Sequence, residues 1–229
     1  MSLSENLSRV RQTIADAATV SGRSPGDILL LAVSKNQPVP VINEAASLGL
    51  ELFGENRVQE AKIKIGQCPG RLKWHMIGHL QSNKCRDAVH FFQMIQSVDS
   101  LSLATEINTA CDKSAKTMAI LLEVNVARES TKFGFKPAEV IAQLEAINAL
   151  RRIEIHGLMT IAPWVEDPEK VRPLFAQLRE LKLRCEEKLG APLPHLSMGM
   201  SGDYAVAIEE GATIVRIGRS LFGERRKAL

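Results

Sequence analysis

The stretch L-L-L-A-V-S-K-N-Q-P, residues 29–38, decides how the rest of the chain reads. Its apolar run has the length of a strand rather than a helix, and N-Q-P then turns the chain. A lysine, Lys35, stands where the buried strand ends. Upstream, Leu3, Leu7, Val10, Ile14 and Ala17 recur at helical spacing over 3–20, and S-G-R-S-P-G breaks the pattern. Downstream, the spacing predicts a helix over 39–49 with a glycine at its end, a strand over 50–53 and a helix over 55–65. Strands follow at 73–77, 92–97, 118–124, 153–158, 195–197 and 214–217. Helices are expected between them at about 81–89, from a cap at Asp99 to 113, and at 137–149, 168–188 and 201–210.

Eight strands alternating with helices imply a parallel sheet, because parallel neighbours need crossover connections. Eight such units in 229 residues match a single (β/α)8 TIM-type barrel. The main rival is an open doubly wound sheet, but no G-x-G-x-x-G follows the first strand. With no linker, repeat or low-complexity segment, residues 1–229 are expected to form one domain.

Composition narrows the function. Apolar residues make up 45% and aromatic residues 4%, so the core is aliphatic. A net charge of +3, with no basic run interleaved with aromatics, argues against nucleic acid. The R-R-K run at 225–227 reads as a solvated tail. Cys68, Cys85, Cys111 and Cys185 form no C-x-x-C and have no metal-like spacing to histidine, which suits reduced thiols in the cytoplasm. No signal peptide is legible, and no apolar stretch approaches the roughly 20 residues that span a bilayer.

In such a barrel, chemistry collects at the C-terminal ends of the strands, where Lys35 falls. An amine among apolar neighbours loses hydration, which lowers its pKa and favours a nucleophile for Schiff-base chemistry; a snorkelling lysine is the plainer alternative. S-M-G-M-S-G-D at 197–203 and V-R-I-G-R-S at 215–220 follow the last two strands and offer main-chain donors to an anion. Arg216 should alternate inward, to face a ring nitrogen or to pair with a core carboxylate. An amine, an anion cradle and an inward arginine together suit a phosphorylated aldehyde, and pyridoxal 5′-phosphate (PLP) fits.

Six ordered blocks carry a resemblance over nearly the whole chain. A-V-S-K at 32–35, F-G-E-N-R-V-Q-E at 53–60, W-H-M-I-G-H-L-Q-S-N-K at 74–84, H-G-L-M-T-I at 156–161, S-M-G-M-S-G-D and V-R-I-G-R-S-L-F-G at 215–223 resemble the pyridoxal phosphate homeostasis protein family. Its barrel is similar to the N-terminal domain of alanine racemase. The resemblance implies that Lys35 carries PLP as an internal aldimine. It also implies that Ser201, Gly218 and Arg219 hold the phosphate, that Arg216 faces the pyridine nitrogen and that Asn56 lies nearby. Many family members carry a second lysine where this chain has Gln37, and Lys132 in E-S-T-K-F-G varies the family's E-S-K-x-G block.

Among His75, His79 and His156 no metal spacing is evident, and His156 is the one that could meet the cofactor ring. Glu55 and Glu60, taken to share one helix, would support the site from behind. The only tyrosine, Tyr204, lies beside the phosphate loop and does not supply a second base. The expectation is therefore a cytoplasmic carrier, storing, buffering or delivering PLP, without catalytic residues, bound metal or membrane contact. It is expected as a monomer or weak dimer that serves PLP-dependent apoenzymes. Alternatives are a racemase whose missing base comes from a partner subunit, a Schiff-base aldolase acting on a phosphosugar, or a non-enzymatic regulator.

Overall fold

The structure is a computed structural model and describes residues 1–223 of the 229; the R-R-K run lies outside the described residues. Eight parallel strands close into a barrel in sequence order, β1 (Leu29–Val33), β2 (Leu52–Glu55), β3 (Lys73–Met76), β4 (Met94–Val98), β5 (Met118–Glu123), β6 (Ile153–Met159), β7 (His195–Ser197) and β8 (Ile214–Ile217), with β8 pairing back onto β1. The helices are α1 (Leu3–Val20), α2 (Val39–Ser47), α3 (Val58–Ile65), α4 (Cys85–Phe91), α5 (Leu101–Ser114), α6 (Pro137–Asn148), α7 (Arg172–Leu189), α8 (Tyr204–Glu209) and α9 (Arg219–Phe222).

Strand alternation divides the core into two layers. Leu31, Val33, Ile77, Met94, Leu121, Met159 and Ile214 fill the barrel interior. Residues one step away along the strands, such as Ala32, Phe53, Trp74, Ile120 and Val215, pack outward against the helices. The interior near Leu31 is tight: a Cβ at Gly54 would stand 2.3 Å from Leu31 Cδ2.

Several boundaries differ from the sequence reading for local reasons. Glu55 ends β2 instead of opening a helix, because the chain needs Asn56 and Arg57 to turn before α3 starts at Val58. Glu55 and Glu60 therefore sit on different elements. Ser100, not Asp99, caps α5, its hydroxyl accepting the Leu103 N–H. The expected helix over 201–210 shrinks to α8, because Met200, Ser201, Gly202 and Asp203 are spent on a turn. The four cysteines are free thiols, three of them buried. Among the described residues no helix is long and apolar enough to cross a membrane.

Candidate functional site

At the C-terminal mouth of the barrel lies a cavity of about 630 Å3. Lys35, Asn56, Ser201, Arg216, Gly218 and Arg219 all line it, so the chain brings these six together, while His156, the candidate for the cofactor ring, is not among the lining residues. Val33, Ile77, Ile161 and Val165 supply apolar wall. Trp164, on the loop after β6, borders the cavity and is 77% exposed.

Lys35 is half-buried at the turn after β1. Its neighbours are held by a buried ionic clamp. Lys64, reaching from α3, donates to Ser34 O at 2.8 Å, to Glu55 Oε1 at 3.0 Å and to Glu60 Oε1 at 2.5 Å. Those three bonds use all three ammonium donors. Ser34 Oγ donates to Glu55 Oε1 at 2.6 Å, and the Asn36 N–H donates to Glu60 Oε1 at 2.6 Å. Both residues flanking Lys35 are thus tied down, and Asn36 adopts φ +62°, a region that asparagine tolerates better than most residues. Burial pushes the Glu55 carboxyl up from its usual range, against the pull of Ser34 and Lys64.

Opposite, the loops after β7 and β8 pack together. Ser201 Oγ accepts the Ser220 N–H at 3.1 Å, and Ser220 Oγ donates back to Ser201 O at 3.2 Å. The main-chain N–H groups of Ser201, Gly202, Gly218 and Arg219 find no acceptor among the described residues, and all four residues line the cavity. Such a set of outward amides is a ready cradle for an anion. Gly199, at φ +93°, permits the turn: a Cβ there would stand 2.6 Å from Ala207 Cβ. Ser201 thus braces the neighbouring loop rather than capping its own helix, and Asp203 Oδ1 accepts the Met200 N–H at 2.6 Å.

Arg216 points inward, as alternation requires, and is 4% exposed. Its Nη2 donates to Thr160 O and its Nη1 to Ser197 Oγ, both at 2.7 Å. The chain of bonds continues across the barrel, Ser197 Oγ donating to Gln96 Oε1 at 2.6 Å and Gln96 Nε2 to His75 Nδ1 at 2.9 Å. Burial lowers the Arg216 guanidinium to about 10, so it stays cationic at neutral pH. Burial also lowers His75 to about 4, consistent with a neutral ring accepting from Gln96.

His156 does not reach the cavity. It lies midway along β6, pairs with Glu154 at 3.3 Å and faces His195 at the start of β7, toward the other end of the barrel. His79 hydrogen-bonds Asp99 at 3.1 Å and stacks on Phe133. Among the described residues no three His, Cys, Asp or Glu side chains are grouped to hold a metal. Tyr204 packs against the outer core, away from the cavity lining. Lys132 is half-buried and pairs with Glu129 at 2.7 Å.

Sequence reasoning missed Lys64, Trp164 and Glu123. Glu123 had a legible signal, since it ends the apolar run M-A-I-L-L-E much as Lys35 follows L-L-L-A-V. Burial and the nearby Asp99 raise its carboxyl to about 7, against the pull of Arg216. The folded protein therefore holds this proton more tightly than the unfolded chain. The resulting stability is full below the unfolded pKa near 4.5 and is lost as pH rises through about 7. Glu123→Gln has no such equilibrium, so it should gain on wild type by about 1–3 kcal/mol at pH 8 and lose that advantage by pH 4.5. Paired urea titrations at the two pH values check this.

The family model described as the alanine racemase N-terminal domain matches residues 3–226. A pyridoxal phosphate homeostasis protein of Aquifex aeolicus is 45% identical, the match covering 99% of this chain and 100% of that protein. One from Pseudomonas aeruginosa is 40% identical, with 97% and 96% covered. Among solved structures, PipY of Synechococcus elongatus with PLP bound superposes with a TM-score of 0.85 at 37% identity, covering 97% of this chain and 100% of PipY. An alanine racemase of Clostridium difficile, at 18% identity and a TM-score of 0.75, shares the fold; the match covers 98% of this chain and 57% of the racemase.

Proposed function

Because the chain belongs to the alanine racemase N-terminal domain family, and within it to the pyridoxal phosphate homeostasis proteins, we propose that it binds PLP in this cavity and serves the cell's handling of that cofactor. It would do so as a single cytoplasmic domain, monomeric or weakly dimeric, that stores, buffers or delivers the cofactor to PLP-dependent apoenzymes. One observation carries the reading: a lysine amine, four main-chain N–H groups that no described residue accepts from and a buried guanidinium line one cavity. These donors suit a phosphate, an aldehyde and a basic ring nitrogen, so the residues present fit the group.

The cofactor, when bound, brings an aldehyde that condenses reversibly with a primary amine. Lys35 Nζ supplies that amine. The amides of Ser201, Gly202, Gly218 and Arg219 bind the phosphate, and Ser201 Oγ keeps the two loops in register through Ser220. Arg216, held by Ser197 and Thr160, keeps a fixed cation in the cavity, which disfavours protonation of a ring nitrogen beside it. Asn56 lines the cavity behind Lys35, where Gly78 lets the next loop cross closely; a Cβ on Gly78 would stand 2.5 Å from Asn56 O. The mouth is open beside Trp164, which suits entry and release.

The absorbance spectrum of the purified protein, taken with added PLP before and after borohydride, tests the reading. A visible band that borohydride bleaches is expected, with the mass of the reduced cofactor fixed to the protein. A colourless protein without the adduct would end the proposal.

A further inference from the structure

We propose that the cleft between the loops after β5 and β6 is a second binding subsite, which holds the ammonium group of a primary amine on the carboxylate of Glu123. The cleft has a volume of about 180 Å3, enough for a short alkylammonium tail. Glu123, Asn125, Thr131, Lys132, Phe133 and Ile161 line it, and Ile161 also lines the larger cavity, so the two are contiguous.

Glu123 closes β5. Ala119 and Leu121 pack on the barrel interior while Ile120 and Leu122 face the helices, so alternation turns Glu123 into the mouth. It is 6% exposed, and the charges that act on its carboxylate, Asp99 and Arg216, do so through space rather than by hydrogen bonds. A buried carboxylate is costly to keep charged, and an ammonium brings both an opposite charge and N–H donors.

The other charges around the cleft leave this role open. Lys132, from the loop after β5, is engaged with Glu129 at 2.7 Å. Arg216, from β8, spends Nη1 and Nη2 on Ser197 and Thr160. Asp99, after β4, adds negative charge and holds His79 from the loop after β3 at 3.1 Å. Asp203 also faces Arg216 and is tied to the Met200 N–H. Phe133, 55% exposed and stacked on His79, gives the lip an aromatic face that a cation favours.

The position gives the subsite a role. In an eight-stranded ring β5 lies across from β1, so an amine on Glu123 faces Lys35 over the mouth. Such an amine, once its proton has passed to Glu123, would add to the C=N carbon of a carbonyl ligand held on Lys35; a new C–N bond would form, the bond to Lys35 Nζ would break, and the lysine would leave as the free amine. The role as acceptor rests on the PLP reading above; the binding itself does not.

Calorimetric titration of the full chain, after borohydride treatment so that exchange at Lys35 cannot contribute, tests the subsite. Propylammonium stands for a free amine, N-acetyl-lysine amide for a lysine side chain, and propanol for the uncharged control. At pH 8 we expect saturable 1:1 binding of propylammonium, with propanol and the Glu123→Gln protein at least about tenfold weaker. Binding of N-acetyl-lysine amide with matching affinity would extend the subsite to protein lysines; binding of propylammonium alone would restrict it to free amines. Wild-type binding should also weaken about tenfold from pH 8 to pH 5.5, as Glu123 takes up a proton, a result that needs no variant. Equal binding by wild type and Glu123→Gln, equal binding of propanol, or no pH dependence would overturn the proposal. The borohydride adduct, scored by mass on the same sample, reports separately whether Lys35 carries the cofactor.

Discussion

Lys35→Ala protein incubated with PLP and borohydride should show no stable mass increment, and its visible band should disappear. The rest of the cavity remains in this variant: the four amides, Arg216 and the brace between Ser201 and Ser220 are independent of the lysine side chain. Noncovalent phosphate affinity should therefore survive, while overall PLP affinity falls by about 100-fold or more, equivalent to about 3 kcal/mol. Competition with inorganic phosphate separates the two contributions, because phosphate should bind wild type and variant alike. A retained adduct mapped to Lys132 or another lysine would show that Lys35 is not the attachment point.

Lys64→Met should be strongly damaging although Lys64 lies outside the cavity lining. Methionine nearly preserves length and volume but leaves Glu55, fully buried, and the Ser34 carbonyl without their cation. Breaking a buried pair from one side costs about 3–5 kcal/mol. For a chain of this size that corresponds to a fall in Tm of roughly 6–20 °C. The deficit should have a pH signature. Glu55 already sits above its usual range, and losing Lys64 raises it further. A raised carboxyl favours the folded state only once it is protonated, so the variant's deficit should shrink on acidification and be largest at neutral pH and above. Melting curves between pH 5 and pH 8 check this. A uniform loss across that range would mean that packing, not charge, accounts for the damage. Because the clamp holds Ser34 O and Asn36 N, surviving Lys64→Met protein should also show a slower rise of the PLP band.

The barrel was legible because its signals are local and repeated. Strand runs such as L-L-L-A-V and M-A-I-L-L-E and helix periodicity such as that of α1 recur in one order, and parallel strands allow few ways to close it. Lys35 and Arg216 were legible for a related reason: each is a charge placed in or beside an apolar strand. The clamp was not legible. Lys64 lies in K-I-K-I, a pattern that reads as an ordinary helix surface, and only the crossing of α3 over β2 buries it against Glu55. His156 misled because a sequence block does not tell how far along a strand a residue lies from the end that opens on the cavity. Its partners, Glu154 and His195, place it toward the far end of the barrel. The proton held at Glu123 depends on burial and on Asp99, against the pull of Arg216, and these surroundings come from separate elements that meet only after closure.

The chain has two tryptophans, and they sit in opposite surroundings: Trp74 is sealed in the outer core at 2% exposure, while Trp164 stands open beside the cavity. The molecule therefore carries its own optical gauge. A chromophore in the cavity would quench the solvent-exposed, red-shifted emission of Trp164 more than the blue-shifted emission of Trp74. Cofactor loading and departure can then be followed in real time, without a label, on the unmodified protein.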